Sequence, residues 1–201
     1  MKSSYRFYRG CYHIARVLFK TFFFYSVRGR ENVPSGSAMV CANHSSLLDP
    51  IIISLALGID HFVHYIAKIE LFRVPVVATV ITKLGAISVD RDKSDVTTVK
   101  ATLGYLKNDE KVAIFPEGRR VLTDEAALAK NGAVKIAERT GVPVVPVFVP
   151  RRKPVFRKLK VVIGVPYYIE KQDDKRTADD YTLLAETLMG KIEALNPESG
   201  D

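Results

Sequence analysis

Short apolar blocks punctuate the chain, and the spacing of polar positions changes between them. Ala38–Ala42 (AMVCA) is an unbroken apolar run that stops at Asn43, and Val112–Phe115 is another that stops at Pro116. Runs of this length suit strands covered on both faces. Val144–Val149 is strongly β-branched with Pro143 and Pro150 at its margins, His64–Ala67 and Ala86–Val89 read as strands, and Leu159–Val165 with Tyr167–Ile169 reads as a pair. Elsewhere the spacing is helical. Asp49 caps a helix over Pro50–Leu57, with Pro50 in its first turn. Val76–Leu84 ends before Gly85, Ser94 caps a helix running to Leu106, Leu128–Thr140 stops at Gly141, and Ala178–Leu195 closes the chain ahead of a frayed end. Strands alternating with helices predict an α/β fold: one layered domain, a mixed β-sheet flanked by helices. No repeat, linker or low-complexity tract interrupts it.

The start of the chain differs. Arg6, Arg9, His13, Arg16 and Lys20 are spaced by three and four residues. On a helix they fall within an arc of about 80°. The remaining surface carries Tyr5, Phe7, Tyr8, Tyr12, Ile14, Val17, Leu18, Phe19 and Phe22–Phe24. Residues 1–28 therefore read as a basic amphipathic helix suited to a membrane interface, and 29–201 as the α/β domain. The competing reading packs this helix on its own domain; aromatic density and the lack of acid favour the membrane. Charges spread through the segment argue against a signal peptide, and no apolar run reaches transmembrane length.

Composition narrows the class. The 201 residues are 47% hydrophobic and 26% charged, which excludes a disordered or fibrous chain. Two cysteines, Cys11 and Cys41, cannot build a disulfide framework and suit a reducing compartment. The net charge of +8 is concentrated: residues 1–30 hold seven basic residues and no acid, and residues 151–160 hold six (Arg151, Arg152, Lys153, Arg157, Lys158, Lys160). Such patches attract nucleic acid, anionic membranes or phosphorylated small molecules. No nucleic-acid motif accompanies them, and the basic face is interleaved with Phe and Leu, so nucleic acid is not expected as a partner.

Candidate chemistry lies where predicted strands end. In Asn43-His44-Ser45-Ser46-Leu47-Leu48-Asp49-Pro50, His44 and Asp49 are five residues apart, and Pro50 disfavours helical geometry at Asp49. A bent loop can fold the carboxylate onto the imidazole, fixing its tautomer and raising the basicity of the other nitrogen. The plain alternative is a helix cap beside a surface histidine. Phe115-Pro116-Glu117-Gly118-Arg119-Arg120 follows a buried strand, and its guanidinium forks suit phosphate, with Lys130 and Gly132 able to extend an anion site. Here the alternative is a surface Glu–Arg pair. Lys68-Ile69-Glu70-Leu71 and Gly85–Arg91 bring Lys68 and Arg91 toward the same sheet edge, though each alone is an ordinary exposed charge. No nucleophile elbow and no metal-ligand spacing appears.

In this order the blocks resemble the glycerophospholipid acyltransferase family, closest to the bacterial 1-acyl-sn-glycerol-3-phosphate acyltransferases. The resemblance runs from Gly29 to Val149: a lead-in Gly29–Pro34, the His-x4-Asp box His44–Asp49, Lys68–Leu71, Gly85–Arg91, Pro116–Arg120, and the proline-flanked block Val142–Val147. It implies a glycerol-3-phosphate acyltransferase-like fold and an O-acyltransferase over 29–201. His44, oriented by Asp49, would act as general base for the free hydroxyl of 1-acyl-sn-glycerol-3-phosphate. The acyl donor would be an acyl-CoA or acyl-carrier-protein thioester, and the product phosphatidic acid. Lys68, Arg91 and Arg120 match positions tied to the acceptor phosphate, Glu117 and Gly118 would shape the site, and Arg119 would add a further guanidinium among the substrate-binding residues. No cofactor or metal is implied, and the expected setting is peripheral, on the cytoplasmic face of the cell membrane. The expected partners are the lysophospholipid, the thioester donor or its carrier protein, and an anionic lipid surface. Arg119 stands where the family usually has Thr, Val121 where a Ser follows, and Ser88 where an aromatic or apolar residue is common. These departures bear on the acceptor more than the reaction and leave open another lysophospholipid or lyso-aminolipid; a rival from another class is a non-catalytic membrane-binding relative that keeps the fold.

Overall fold

The computed structural model describes residues 2–90, 96–122, 129–172 and 174–197. Their order is α1 (Lys2–Phe22), β1 (Phe24–Arg28), β2 (Ala38–Ala42), α2 (Asp49–Leu57), β3 (Val63–Lys68), α3 (Pro75–Lys83), β4 (Ile87–Val89), α4 (Val96–Lys107), β5 (Lys111–Ile114), α5 (Gly132–Thr140), β6 (Val144–Phe148), β7 (Lys158–Ile163) and α6 (Ala178–Glu193). Short 3-10 turns cover Arg30–Asn32 and Ile69–Arg73. The strands form one sheet in the order β1-β7-β6-β2-β5-β3-β4. β6, β2, β5, β3 and β4 are mutually parallel; β7 runs antiparallel to β6, and β1 parallel to β7.

The buried apolar runs are explained by two helical layers. In β2 all five residues are buried: Ala38, Val40 and Ala42 belong to the core under α1 and α2, while Met39 and Cys41 belong to the core under α5 and α6. A strand with both faces covered has no use for polar alternation. Successive crossovers run from β2 through α2 to β3 and through α3 to β4, then return through α4 to β5 and through α5 to β6. The neighbouring strands β2 and β5 therefore send their connections to opposite faces. Such a switch point opens a crevice at the carboxyl ends of the strands, where open α/β sheets bind ligands.

Several elements differ from expectation. The N-terminal helix ends at Phe22, and residues 24–28 form β1, hydrogen-bonded to β7, so 1–28 is not one helix. The helix before Gly141 begins at Gly132 rather than Leu128, which itself lies outside the described residues, as do Arg91 and Ser94. Leu159–Val165 and Tyr167–Ile169 do not pair with each other: Tyr167 bridges Val144 of β6. The lead-in Gly29–Pro34 holds a 3-10 turn.

α1 has three faces. Tyr8, Tyr12 and Phe19 are buried in the core, and the Tyr8 hydroxyl donates to His61 O at 3.3 Å. Arg6, Arg9, His13, Arg16 and Lys20 form an exposed stripe. On the side remaining, Ile14 and Val17 are each 65% exposed, with Leu18 and Phe22 exposed beside them. The helix thus packs on its own domain and still presents an outward apolar face. Among the described residues no helix is long and apolar enough to cross a membrane.

Candidate active site

The crevice between β2 and β5 is built by two loops. After β2 the chain bends through Asn43–Leu48, and the Asn43 side chain fixes that bend against the strand beyond β6. Its Nδ2 donates to Val149 O (2.7 Å), and its Oδ1 accepts from Val149 N (2.8 Å). α2 then starts at Asp49, whose fully buried carboxylate points back along the loop. Oδ2 accepts from the N–H groups of Ser45 (2.7 Å) and Ser46 (2.8 Å) and lies 2.9 Å from His44 Nδ1. Asp49 is therefore not a conventional cap of the following turn. It organises the preceding loop.

The loop geometry determines the imidazole. Asp49 can only accept while ionised, so His44 Nδ1 carries a hydrogen, and in the neutral ring Nε2 is the nitrogen with the lone pair. The ring stacks on Phe115 at 4.0 Å between centroids and an interplanar angle of 19°. Nε2 has no hydrogen-bond partner among the described residues. Burial alone would raise the Asp49 carboxyl, but His44, Lys153 and the Ser46 N–H outweigh it and hold it below its ordinary value. A neutral imidazole held at one nitrogen and open at the other can take a proton from a hydroxyl.

Glu117, expected among the substrate-binding residues that shape the site, faces the protein interior. It is 3% exposed, and both oxygens face inward. Oε2 accepts from the backbone N–H of His44 at 2.8 Å, and Oε1 accepts from Arg151 Nη2 at 2.8 Å. Burial pushes its carboxyl above its ordinary value, against the pull of Arg151 and the His44 N–H. Gly118 lies in the left-handed region (φ 65°), and a Cβ there would come within 2.6 Å of the Lys130 side chain. The glycine serves the turn and makes room for Lys130. Beyond it, Val121 N donates to His44 O at 2.7 Å, tying the two loops together beside the exposed Arg119 and Arg120.

Lys68 stands at the carboxyl end of β3, half-exposed and paired with Glu70 at 2.8 Å. Arg119, Arg120 and Lys68 therefore share the edge that carries His44. Arg91 lies outside the described residues. The basic tract after β6 was the missed part of the site. Arg151 and Lys153 are not surface charges: each side chain is 6% exposed and joined to a buried acid, Arg151 to Glu117 and Lys153 to Asp49. The available signal was position, two cations within four residues of the predicted strand end at Val149. Arg152, Arg157, Lys158 and Lys160 remain exposed.

Other nucleophiles are poorly placed. Burial pushes the Cys41 thiol far above its ordinary value, and the Ser45 hydroxyl is bonded to Lys153 and Arg151 O. Among the described residues no group of three or more His, Cys, Asp or Glu side chains could hold a metal ion. A cleft of about 590 Å3, lined by Ser37, Leu106, Arg139 and Pro143 among others, lies at the opposite end of the parallel strands and contains none of these groups.

Residues 25–150 match the family model described as Acyltransferase. The chain is 34% identical over 168 residues to the 1-acyl-sn-glycerol-3-phosphate acyltransferase of Bacillus subtilis, covering 80% of this chain and 82% of that protein. It is 34% identical over 125 residues to the chloroplastic 1-acyl-sn-glycerol-3-phosphate acyltransferase BAT2 of Brassica napus, covering 60% of this chain and 36% of that one. The crystal structure of the 1-acyl-sn-glycerophosphate (LPA) acyltransferase PlsC from Thermotoga maritima superposes with a TM-score of 0.72 at 25% identity, covering 96% of this chain and 81% of that one.

Proposed function

Because this chain belongs to the acyltransferase family, we propose that it transfers a fatty acyl group from an acyl thioester to the free hydroxyl of 1-acyl-sn-glycerol-3-phosphate, giving phosphatidic acid. The observation that carries the reading is the His44–Asp49 pair at the β2/β5 switch point, with Nδ1 held and Nε2 open. His44 Nε2 accepts the hydroxyl proton as the oxygen attacks the thioester carbonyl. The C–S bond breaks, and the imidazolium returns its proton to the departing thiolate. The acyl group ends on the acceptor oxygen, and no external acid, metal or cofactor enters the balance. General base assistance of this kind contributes about 10²–10⁴ in rate. Exposed Lys68, Arg119 and Arg120 supply cations for the acceptor phosphate.

The donor is acyl-CoA or acyl-carrier-protein. The enzyme works from the cytoplasmic face of the cell membrane as a peripheral protein. The outward apolar face of α1, flanked by its basic stripe, supports that placement. Exposed Val74, Val76 and Val77 at the start of α3 add to the apolar surface. A second reading keeps the chemistry and changes the acceptor head group; Arg119 in place of the family's usual Thr favours it.

Thiol release from a long-chain acyl-CoA, with and without lysophosphatidate, tests the function on wild type and His44→Ala. Acceptor-dependent release that disappears in the variant is expected. Release that survives would remove His44 as the base. No release with any lysolipid and either donor would leave a membrane-binding protein without catalysis.

A further inference from the structure

Both buried acids of the site are matched by cations from one short stretch, Arg151-Arg152-Lys153. Arg151 answers Glu117, and Lys153 answers Asp49. Lys153 reaches Asp49 through a tight shell. Nζ donates to Ser45 Oγ (2.7 Å), Pro150 O (2.7 Å) and, at longer range, Arg151 O (3.4 Å), and it lies 2.8 Å from Asp49 Oδ1. An ammonium has three N–H bonds, so none is left for a substrate phosphate. Asp49 Oδ1 is buried and receives no aligned hydrogen bond; its compensation is the lysine charge.

This arrangement bears on the general base. A buried carboxylate without a cation draws a proton onto the imidazole it touches, because an imidazolium–carboxylate pair costs less than a lone buried anion. An imidazolium has no lone pair on Nε2 and cannot accept a proton. With a permanent ammonium on the other oxygen, Asp49 is already neutralised. It can orient His44 without requiring it to be charged.

We propose that Lys153 is a positioning residue, the fixed counter-ion of Asp49, and that it keeps His44 in its neutral, proton-accepting form to lower pH than the His–Asp pair alone would allow. The proposal rests on His44 being the base. The groups facing His44 are Asp49 from α2, the Phe115 ring after β5, Glu117 at its backbone N–H, and Lys153 from the segment after β6. Glu117 is balanced by Arg151, which also pairs with Glu193 of α6. Loss of the Lys153 charge therefore leaves one uncompensated negative charge next to the imidazole.

The test is the pH dependence of kcat/KM between about pH 5 and pH 9, with a long-chain acyl-CoA and lysophosphatidate, for wild type, Lys153→Gln and Lys153→Arg. In Lys153→Gln the acid limb moves to higher pH by about one unit. Activity near pH 6 relative to that near pH 9 falls about tenfold, and Lys153→Arg restores the limb. A uniform loss at every pH would mark Lys153 as merely structural. A raised acceptor KM without a shifted limb would mark it as a phosphate ligand. Either result overturns the proposal. Full activity in His44→Ala would instead sink the base assignment beneath it, so the two failures are distinguishable. A second measurement does not depend on Lys153→Gln folding by itself. The double variant Asp49→Asn, Lys153→Gln is expected to melt above Asp49→Asn, which strands a buried ammonium. An equal or lower melting temperature would overturn the pairing.

Discussion

Glu117→Gln isolates the support beneath His44. The carboxylate is buried, bonded through one oxygen to the His44 N–H and through the other to the buried Arg151 guanidinium. Glutamine keeps the shape but has one acceptor oxygen. If that oxygen serves His44 N–H, the amide NH2 confronts Arg151, donor against donor. Removing one partner of a buried pair costs about 3–5 kcal/mol. Arg151 retains Glu193, which is 40% exposed, and the Val121 carbonyl at 3.0 Å, so the lower end applies. A loss of about 3 kcal/mol lowers the melting temperature of a domain this size by about 6–12 °C. Thermal or urea denaturation reads the stability, and kcat/KM falls with it because the link from the His44 loop through residue 117 to Arg151 is broken. Adding Arg151→Met to Glu117→Gln recovers part of the stability, since a neutral pair leaves no stranded charge. A melting temperature within about 2 °C of wild type, or strictly additive single and double variants, would refute the reasoning.

Three further outcomes follow from the same edge. Lys68→Ala and Arg120→Ala each lower kcat/KM for lysophosphatidate about tenfold, mainly through the acceptor KM, as loss of one exposed charge-assisted hydrogen bond requires; an unchanged KM would remove either from phosphate binding. Arg119→Thr reorders preference across a panel of lysolipid head groups while lysophosphatidate remains a substrate, and complete loss of turnover would show that Arg119 has become essential. Because Asp49 is held below its ordinary value, its contribution to stability is complete above the unfolded carboxylate range near about pH 4. It is lost as pH falls through the lower folded value. Asp49→Asn flattens that acid limb of melting temperature against pH, and an unaltered limb would place the acid-sensitive group elsewhere.

The sheet was legible because its central strands are apolar on both faces, and a run such as Ala38–Ala42 has few other uses. The His44–Asp49 contact was legible from loop chemistry: five residues with a proline behind them leave a bend that can return the carboxylate. Its other partners were not. Lys153 and Arg151 are more than one hundred residues beyond the loop, and in sequence they look like part of a solvated basic run. Only the parallel alignment of β6 with β2 puts Val149 against Asn43, and the two cations with the buried acids. The partners of Glu117 were hidden for a related reason. Beside two arginines a glutamate suggests surface pairing or ligand contact, whereas the partner that fixes it arrives from a distant strand end. Strand β1 escaped notice because its residues Phe24–Arg28 continue the aromatic, basic composition of α1, and edge pairing with β7 depends on chain segments far apart in sequence.

α1 carries the most direct test of whether the protein meets a lipid surface. Two demands share one helix: Tyr8, Tyr12 and Phe19 belong to the core, while Ile14, Val17, Leu18 and Phe22 face outward beside the basic stripe. Removing the helix would take the first group away and expose the core face it covers, so loss of vesicle binding on deletion would be ambiguous. Substituting the outer face alone avoids this. Ile14→Ser, Val17→Ser and Leu18→Ser together forgo about 3 kcal/mol of apolar transfer, taking each side chain as about half exposed. The basic stripe keeps about 1 kcal/mol per cation near an anionic surface. Binding to phosphatidylglycerol-rich vesicles weakens about 100-fold, the remaining affinity becomes strongly salt-dependent, and the melting temperature in buffer stays near wild type. Turnover of lysophosphatidate presented in vesicles falls with binding, while turnover of a short-chain soluble analogue does not. Unchanged vesicle affinity in a folded triple variant would show that the outward face of α1 does not enter lipid, and would shift the search for the contact to Val74, Val76 and Val77 on the start of α3.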